Sequence, residues 1–426
     1  MKHPCFVEHK HYNNKIKNLG VPCPNIFVQA GIIPLKNNFT MMKNEIKFKA
    51  VIILIGTLIL FIACQNQIGN NNEVVDKKNT EAREDSIKMA EAIAIQTQIG
   101  NPVQAIMETD AVYSAVGEDA ADDPAIWVNQ INPEKSLIIG TDKKAGLYVF
   151  NLEGKVTQFL RAGELNNVDL RDGFVHMGKT QVLISASNRS INSISIFLLN
   201  PETGLISNSF LDIKSKVDEV YGLCMYKDPT NRFYVFVNGK NGIIEQYEII
   251  SENNSIISEY CRGLKVNSQP EGMVANDLTA DLYIGVEQEG IFRAGANRDA
   301  NDQLELLPLS SGNNNQNITY DIEGLAIYQT SDESYLIASI QGNFSYAIYD
   351  IKNTDSIKYL TSFTIKEGLF DGVEETDGIE VTSFPINSDY PKGMLVVQDG
   401  FNFDGKTAVS QNFKYISWAD IEKYLK

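Results

Sequence analysis

Acidic residues stand beside small ones at nearly even intervals through most of this chain. The stretches are Asp122-Asp123-Pro124, Asn167-Val168-Asp169, Glu219-Val220-Tyr221-Gly222, Pro270-Glu271-Gly272, Asp321-Ile322-Glu323-Gly324 and Thr376-Asp377-Gly378. A second series trails the first: Lys143, Arg189, Lys240, Glu287, Gln341 and Asp399, each closing an apolar run at a polar turn. So many carboxylates cannot all ionise at close range without counter-charge. Hard cations supply it, and calcium, which takes about 6–8 oxygen ligands, suits a set with neither His nor Cys. Lys143, Arg189 and Lys240 beside such ions suit a phosphate-bearing anion, which Arg grips with two donors and Lys meets as a point charge. One acid alone more often serves a turn. Acids in nearly every stretch, interleaved with cations, point to a binding site.

Composition removes other chemistries. Only four His occur, and His3, His9 and His11 precede the body of the chain, which leaves His176 alone. Ser-His-Asp and Cys-His catalysis are therefore disfavoured, as are His-rich metal centres. No two of Cys5, Cys23, Cys64, Cys224 and Cys261 form a CxxC pair, so a zinc ribbon or thioredoxin-type site has no support. Cys224 and Cys261 read as two buried thiols, with a disulfide as the alternative. Lys plus Arg is 37 against 54 Asp plus Glu, a net charge of −17. That balance argues against nucleic acid as a partner, because phosphate backbones need a basic face.

The elements that must position these residues are strands. From about Asn101 onward, short β-branched and aromatic runs alternate with Gly, Asn and Asp turns. The recurring unit is about 50 residues long and occurs six times, which predicts an all-β, six-bladed β-propeller with antiparallel blades around a central channel. Two stacked sandwiches would not explain so regular a period. The first strand of a blade lines the channel, and the second runs antiparallel to it. The end of the second strand thus returns to the face where the first began. Both series of polar residues are expected at one mouth of the channel.

The N-terminal segment reads as an address. Met42 to Lys49 is Lys-rich, Ala50 to Ala63 is apolar, and Leu60-Phe61-Ile62-Ala63-Cys64 resembles a bacterial lipoprotein box with Cys64 as the lipidated residue. The apolar run has signal-peptide length, short of the roughly 20 residues of a comfortable span. An uncleaved anchor is the alternative, and either reading places the body outside the cytoplasm. The Met41-Met42 pair suggests the translation start. The expected organisation is residues 1–63 as extension and signal segment, 64–100 as polar linker, and 101–426 as propeller. A monomer is expected, touching the membrane only through the lipid at Cys64.

Beyond these readings, several stretches resemble the β-propeller phytases (3-phytase, myo-inositol hexakisphosphate phosphohydrolase). They are Asp119–Trp127, Leu165–Arg171, Ala186–Ser190, Asp218–Gly222, Glu271–Met273, Asp321–Leu325, Gln341–Asn343, Thr376–Ile379 and Gln398–Gly400, in order and at family-like spacing. The resemblance implies a calcium-dependent phosphomonoesterase acting on phytate or related inositol phosphates, with attack by a metal-held water. By motif match, Lys143, Arg189, Tyr221 and Lys240 would hold phosphate, with Asp377 among the catalytic residues. Asp110, Asp122, Asp123, Glu271, Glu287, Asp321, Glu323, Gln341, Asp371 and Asn402 would hold several calcium ions. Two positions depart from the family: Asn241 and Gln288 stand where an acid is usual, and the loop before Asp371 is one residue shorter. The rival readings are another calcium-dependent propeller hydrolase, such as a lactonase or other phosphoesterase, and a non-catalytic binding propeller.

Overall fold

The computed structural model describes residues 87–425 apart from 209 and 210, so the signal-like segment and Cys64 lie outside the described residues. Six antiparallel sheets follow one another along the chain. The inner strands, in order, are Ala121–Trp127, Leu165–His176, Val220–Lys227, Pro270–Asn276, Ile322–Gln329 and Ile379–Thr382. Each packs against the next, and the last packs against the first, closing a ring of six blades as the repeat predicted.

The second strands Leu137–Asp142, Phe233–Gly239 and Met394–Asp399 are buried at every position. They lie between neighbouring sheets, which is why they read as continuous apolar runs rather than alternating ones. Outer strands such as Val156–Arg161 face solvent and carry the polar residues. The hydrophobic core is accordingly divided into six parcels, one at each blade junction. Phe150 and Phe413, both fully buried, meet edge to face at 6.0 Å across the junction of the sixth and first blades.

Closure comes from the chain's earlier part. Met107–Glu108 is the outermost strand of the sixth blade, pairing with Asn412–Ser417 in the register Met107 with Tyr415 and Glu108 with Lys414. Pro102–Val103 adds in parallel to Lys358–Ile365 of the fifth blade. Residues 87–96, expected within the polar linker, are helical and docked. Gln96 is buried, and its Nε2 donates to Phe344 O at 3.0 Å and Val373 O at 3.1 Å. Cys224 is buried and Cys261 half-buried, and the two are not joined.

Candidate active site

The polar series is aimed by a repeated flaw in strand pairing. Register slips between Ala121 and Pro124, Leu165 and Val168, Val220 and Leu223, Pro270 and Met273, and Ile322 and Leu325. The slipped pairs are Asp122-Asp123, Asn166-Asn167, Tyr221-Gly222, Glu271-Gly272 and Glu323-Gly324, three of which carry acids. A bulge re-aims a side chain that regular pleating would send into the blade interface. Here it turns Tyr221, Glu271 and Glu323 toward a shared cavity. The glycine in the pair permits close stacking. A Cβ on Gly222 would lie 1.8 Å from Glu271 O, and one on Gly272 would lie 2.2 Å from Glu323 O. Only glycine lets one bulge rest on the next.

The second series reaches the same mouth, as the antiparallel argument requires. The backbone N–H of Lys143 donates to Ala120 O at 2.7 Å, and that of Arg189 to Glu164 O at 2.8 Å. Glu287 N–H donates to Gln269 O at 3.1 Å, and Gln341 N–H to Asp321 O at 3.0 Å. Turn residue and strand opening are thereby stitched together in four blades.

The resulting cavity has a volume of about 240 Å³ and is lined by Lys143, Tyr221, Glu271, Glu323, Gln341 and Asp377, among others. Two triads of carboxylates share Glu271. Asp122, Glu271 and Asp377 form one, and Glu271, Glu287 and Glu323 the other, each offering oxygens within 4.8 Å of one another. Lys143 Nζ lies 3.0 Å from Asp119, Asp122 and Asp377 alike. Arg189 donates to Asn166 Oδ1 at 3.3 Å, and Asn166 Nδ2 donates to Glu271 Oε1 at 3.3 Å. Lys240 Nζ sits 4.9 Å from the centre of the Tyr221 ring and 3.7 Å from Glu219.

Crowding shows in the protonation equilibria. Burial, then the neighbouring Asp377 and Glu271 charges, push the Asp122 carboxyl well above its ordinary range despite Lys143. Burial and Glu271 do the same to Glu323. Burial and then Glu271 raise Glu287 to about 7. Burial raises Asp123 well above its ordinary range, against the pull of Val168 N–H, which donates to Oδ2 at 3.0 Å. Asp122 Oδ2 and Glu323 Oε2 are buried with no hydrogen-bond donor. An all-oxygen set with orphaned, crowded carboxylates fits a hard divalent cation, which supplies the missing counter-charge.

Other expected ligands are placed differently. Asp321 lies on the rim, where the Gln288 amide donates to it. Asp123 lies deeper in the channel, beside Asp169 and Glu380. Asp371 and Asn402 belong to a separate cluster, in which Asp371 pairs with the buried Lys414. Asn402 Nδ2 donates to Ser410 O at 2.8 Å, while its Oδ1 is without a donor. Asp110 is not brought to the cavity. Its carboxylate pairs with Lys155 at 2.6 Å and accepts from Val156 N–H at 3.2 Å. The outer-strand pairing of Met107–Glu108 carries Asp110 to the sixth blade's edge, a position that motif spacing cannot foresee. Asn241 caps its own turn, accepting from Ile243 N–H at 3.1 Å. Asp119, Asn166, Glu375 and Gln411 were not among the expected site residues. Asp119 and Asn166 stand within the quoted motifs, but Gln411 comes from the connection just before the strand Asn412–Ser417, outside both series.

Comparison with known proteins agrees with this geometry. Residues 81–426 match the family described as Phytase. The 3-phytase of Bacillus subtilis (strain 168) is 41% identical over 333 residues, covering 76% of this chain and 85% of that protein. A solved structure of BBS1N in complex with ARL6DN, soaked with lead, aligns at a TM-score of 0.40 and 10% identity over 69% of this chain and 78% of that one, a likeness too loose to bear on function. From its sequence match and its relative's identity over most of both chains, this chain belongs to the Phytase family.

Proposed function

We propose that this protein is a calcium-dependent phosphomonoesterase that hydrolyses phytate to lower inositol phosphates and inorganic phosphate. The observation that carries the reading is the pair of carboxylate triads sharing Glu271, with Lys143 and Tyr221 lining the same cavity and Arg189 and Lys240 joined to it through Asn166 and the Tyr221 ring. Asp122, Glu271, Glu287, Glu323 and Asp377 are the residues that would hold calcium around the cavity, with Asp321 and Gln341 at its rim. When bound, the ions supply positive charge to the phosphoryl oxygens and lower the pKa of a water.

The chain's own residues do the positioning. Arg189 presents a planar fork suited to two phosphate oxygens, and its bond to Asn166 ties that fork to Glu271. Lys240, braced on the ring of the cavity-lining Tyr221, would meet phosphate as a point charge. Water attack forms one P–O bond and breaks the ester bond, and the inositol oxygen leaves with a proton. No protein nucleophile is required. His176, the one His among the described residues, closes the far end of the second blade's inner strand and contacts Ser251 at 3.0 Å. A His base of the lactonase kind therefore has no candidate at the cavity among the described residues. Phosphate release from phytate, measured beside ring opening of a simple lactone, tests the assignment. Lactone turnover without phosphate release would overturn it.

We also propose export as a lipoprotein anchored at Cys64, supported by the basic and apolar segment before it. Cys64→Ala should release the protein from membranes, since the acyl chains are the anchor. Unchanged retention would favour an uncleaved apolar segment.

A further inference from the structure

A wider basin of about 800 Å³ opens beside the catalytic cavity and shares Asp119, Gln341, Glu375 and Gln411 with it. One of its walls is the helix over residues 87–96, through Lys88, Met89, Glu91, Ala92 and Ile95. This helix is fixed, not draped. Ala92 and Gln96 are buried against the propeller, Gln96 donates to two backbone carbonyls, and Lys366 Nζ donates to Gln96 Oε1 at 2.6 Å. The basin's other charged lining residues, Glu91, Asp119, Asp321 and Glu375, are all acidic, and Lys88 is its one cation among the described residues. Lys88 and Asp321 line the same basin.

We propose that the 87–96 helix is a wall of the substrate site and that Lys88 binds a phosphate group other than the one being cleaved. The inference rests on the phytase reading and extends it to a residue outside the propeller repeats. A substrate with phosphates all round its ring can place one in a 240 Å³ cavity. The rest must project into the adjoining space. There a phosphate meets four carboxylates and a single ammonium, so Lys88 decides how well a many-phosphate ligand is tolerated. A monophosphate confined to the inner cavity does not reach it. The helix therefore acts as a selector for highly phosphorylated substrates.

The test uses the full chain in calcium and two readouts. Binding of myo-inositol hexasulfate, a stable many-anion probe, is measured by calorimetry, and KM is measured for phytate and for p-nitrophenyl phosphate. Lys88→Glu should weaken hexasulfate binding and raise the phytate KM roughly three- to tenfold, the scale of one partly exposed charge contact reversed in sign. The rise for phytate should exceed any rise for p-nitrophenyl phosphate at least threefold, and Lys88→Arg should restore hexasulfate binding. Equal shifts for both substrates, or unchanged hexasulfate binding, would overturn the proposal. A wild-type protein that binds hexasulfate but releases no phosphate from phytate would instead fail the phytase reading itself, and the inference with it.

Discussion

Two lysines are buried among carboxylates in this protein, and the contrast between them separates a site from a scaffold. Lys414 is fully buried in the sixth blade, paired with Glu108, Asp371 and Asp399. Each of those acids also takes an N–H donor: Asn412 Nδ2 for Glu108, Phe403 N for Asp371 and Glu374 N for Asp399. Lys143 is likewise paired with three acids, but Glu271, Glu287 and Glu323 crowd in behind them. Two of those six side chains, Asp122 and Glu323, keep oxygens that no donor reaches, and the cluster opens on a cavity. At Lys414 each acid has an N–H donor besides the ammonium. At Lys143 Asp122 Oδ2 and Glu323 Oε2 are left without a donor, and under the proposed function that deficit is what a cation and then a phosphate would fill.

The largest effect should therefore fall on stability at Lys414. Lys414→Met leaves three acids around an apolar side chain and should cost about 3–5 kcal/mol, with or without calcium. Lys143→Met should cost less in saturating calcium than in chelator, because cations can replace the lost ammonium. Denaturant unfolding in the two buffers reads both, and equal calcium sensitivity of the two variants would erase the distinction.

Next in size is a pair at the cavity. Glu271→Gln should lower turnover on phytate about 10²–10³-fold and shift the calcium midpoint of the melting temperature upward, since Glu271 belongs to both triads. Arg189→Ala should lower turnover about 10²-fold while leaving that midpoint in place, because a guanidinium is no calcium ligand. A midpoint shifted equally by both variants would merge two roles that the geometry keeps apart.

The smallest effect is on pH dependence without calcium. Burial raises Asp399 to about 7 and Glu380 to about 8, and Glu287 also stands at about 7. Folded-state values raised above the unfolded ones mean that the native protein holds protons the unfolded chain has lost. Their stabilising contribution is complete below the ordinary carboxylate range and is lost as pH rises through about 7–8. In chelator the melting temperature should fall by several degrees between about pH 5 and 8. Calcium should flatten the part due to the cavity acids and leave the part due to Asp399. A flat profile in chelator would contradict the burial argument.

What was legible in the sequence follows the repeat. Six blades, their channel-lining strands and the meeting of Lys143, Arg189 and Lys240 with Glu271 and Glu323 all follow from period and strand direction. These are constraints that every blade shares. Residues held by single events were harder to place. Asp110 is carried off by the strand that closes the ring, and Asp371 is drawn to Lys414, whose burial nothing in its local sequence announces. Gln411 enters the cavity from the connection before the sixth blade's third strand, where no repeated motif marks it. The helix over residues 87–96 follows a polar stretch that reads as a tether. It is docked through buried Ala92 and Gln96, the latter by two hydrogen bonds to distant carbonyls that its own sequence does not announce. The bulges showed in the sequence only as pairs of polar or small residues, such as Glu271-Gly272 and Glu323-Gly324, since a register slip is a property of two strands and not of one.

If calcium fills the deficit of counter-charge around Lys143, catalysis should depend on it. Phosphate release from phytate by the wild-type protein, followed from chelator-buffered zero to saturating free calcium, tests this most directly. No release is expected in chelator, with saturable release as calcium is added and a parallel rise in melting temperature, because an ion that binds only the folded state stabilises it. Undiminished phosphate release in excess chelator would contradict that dependence.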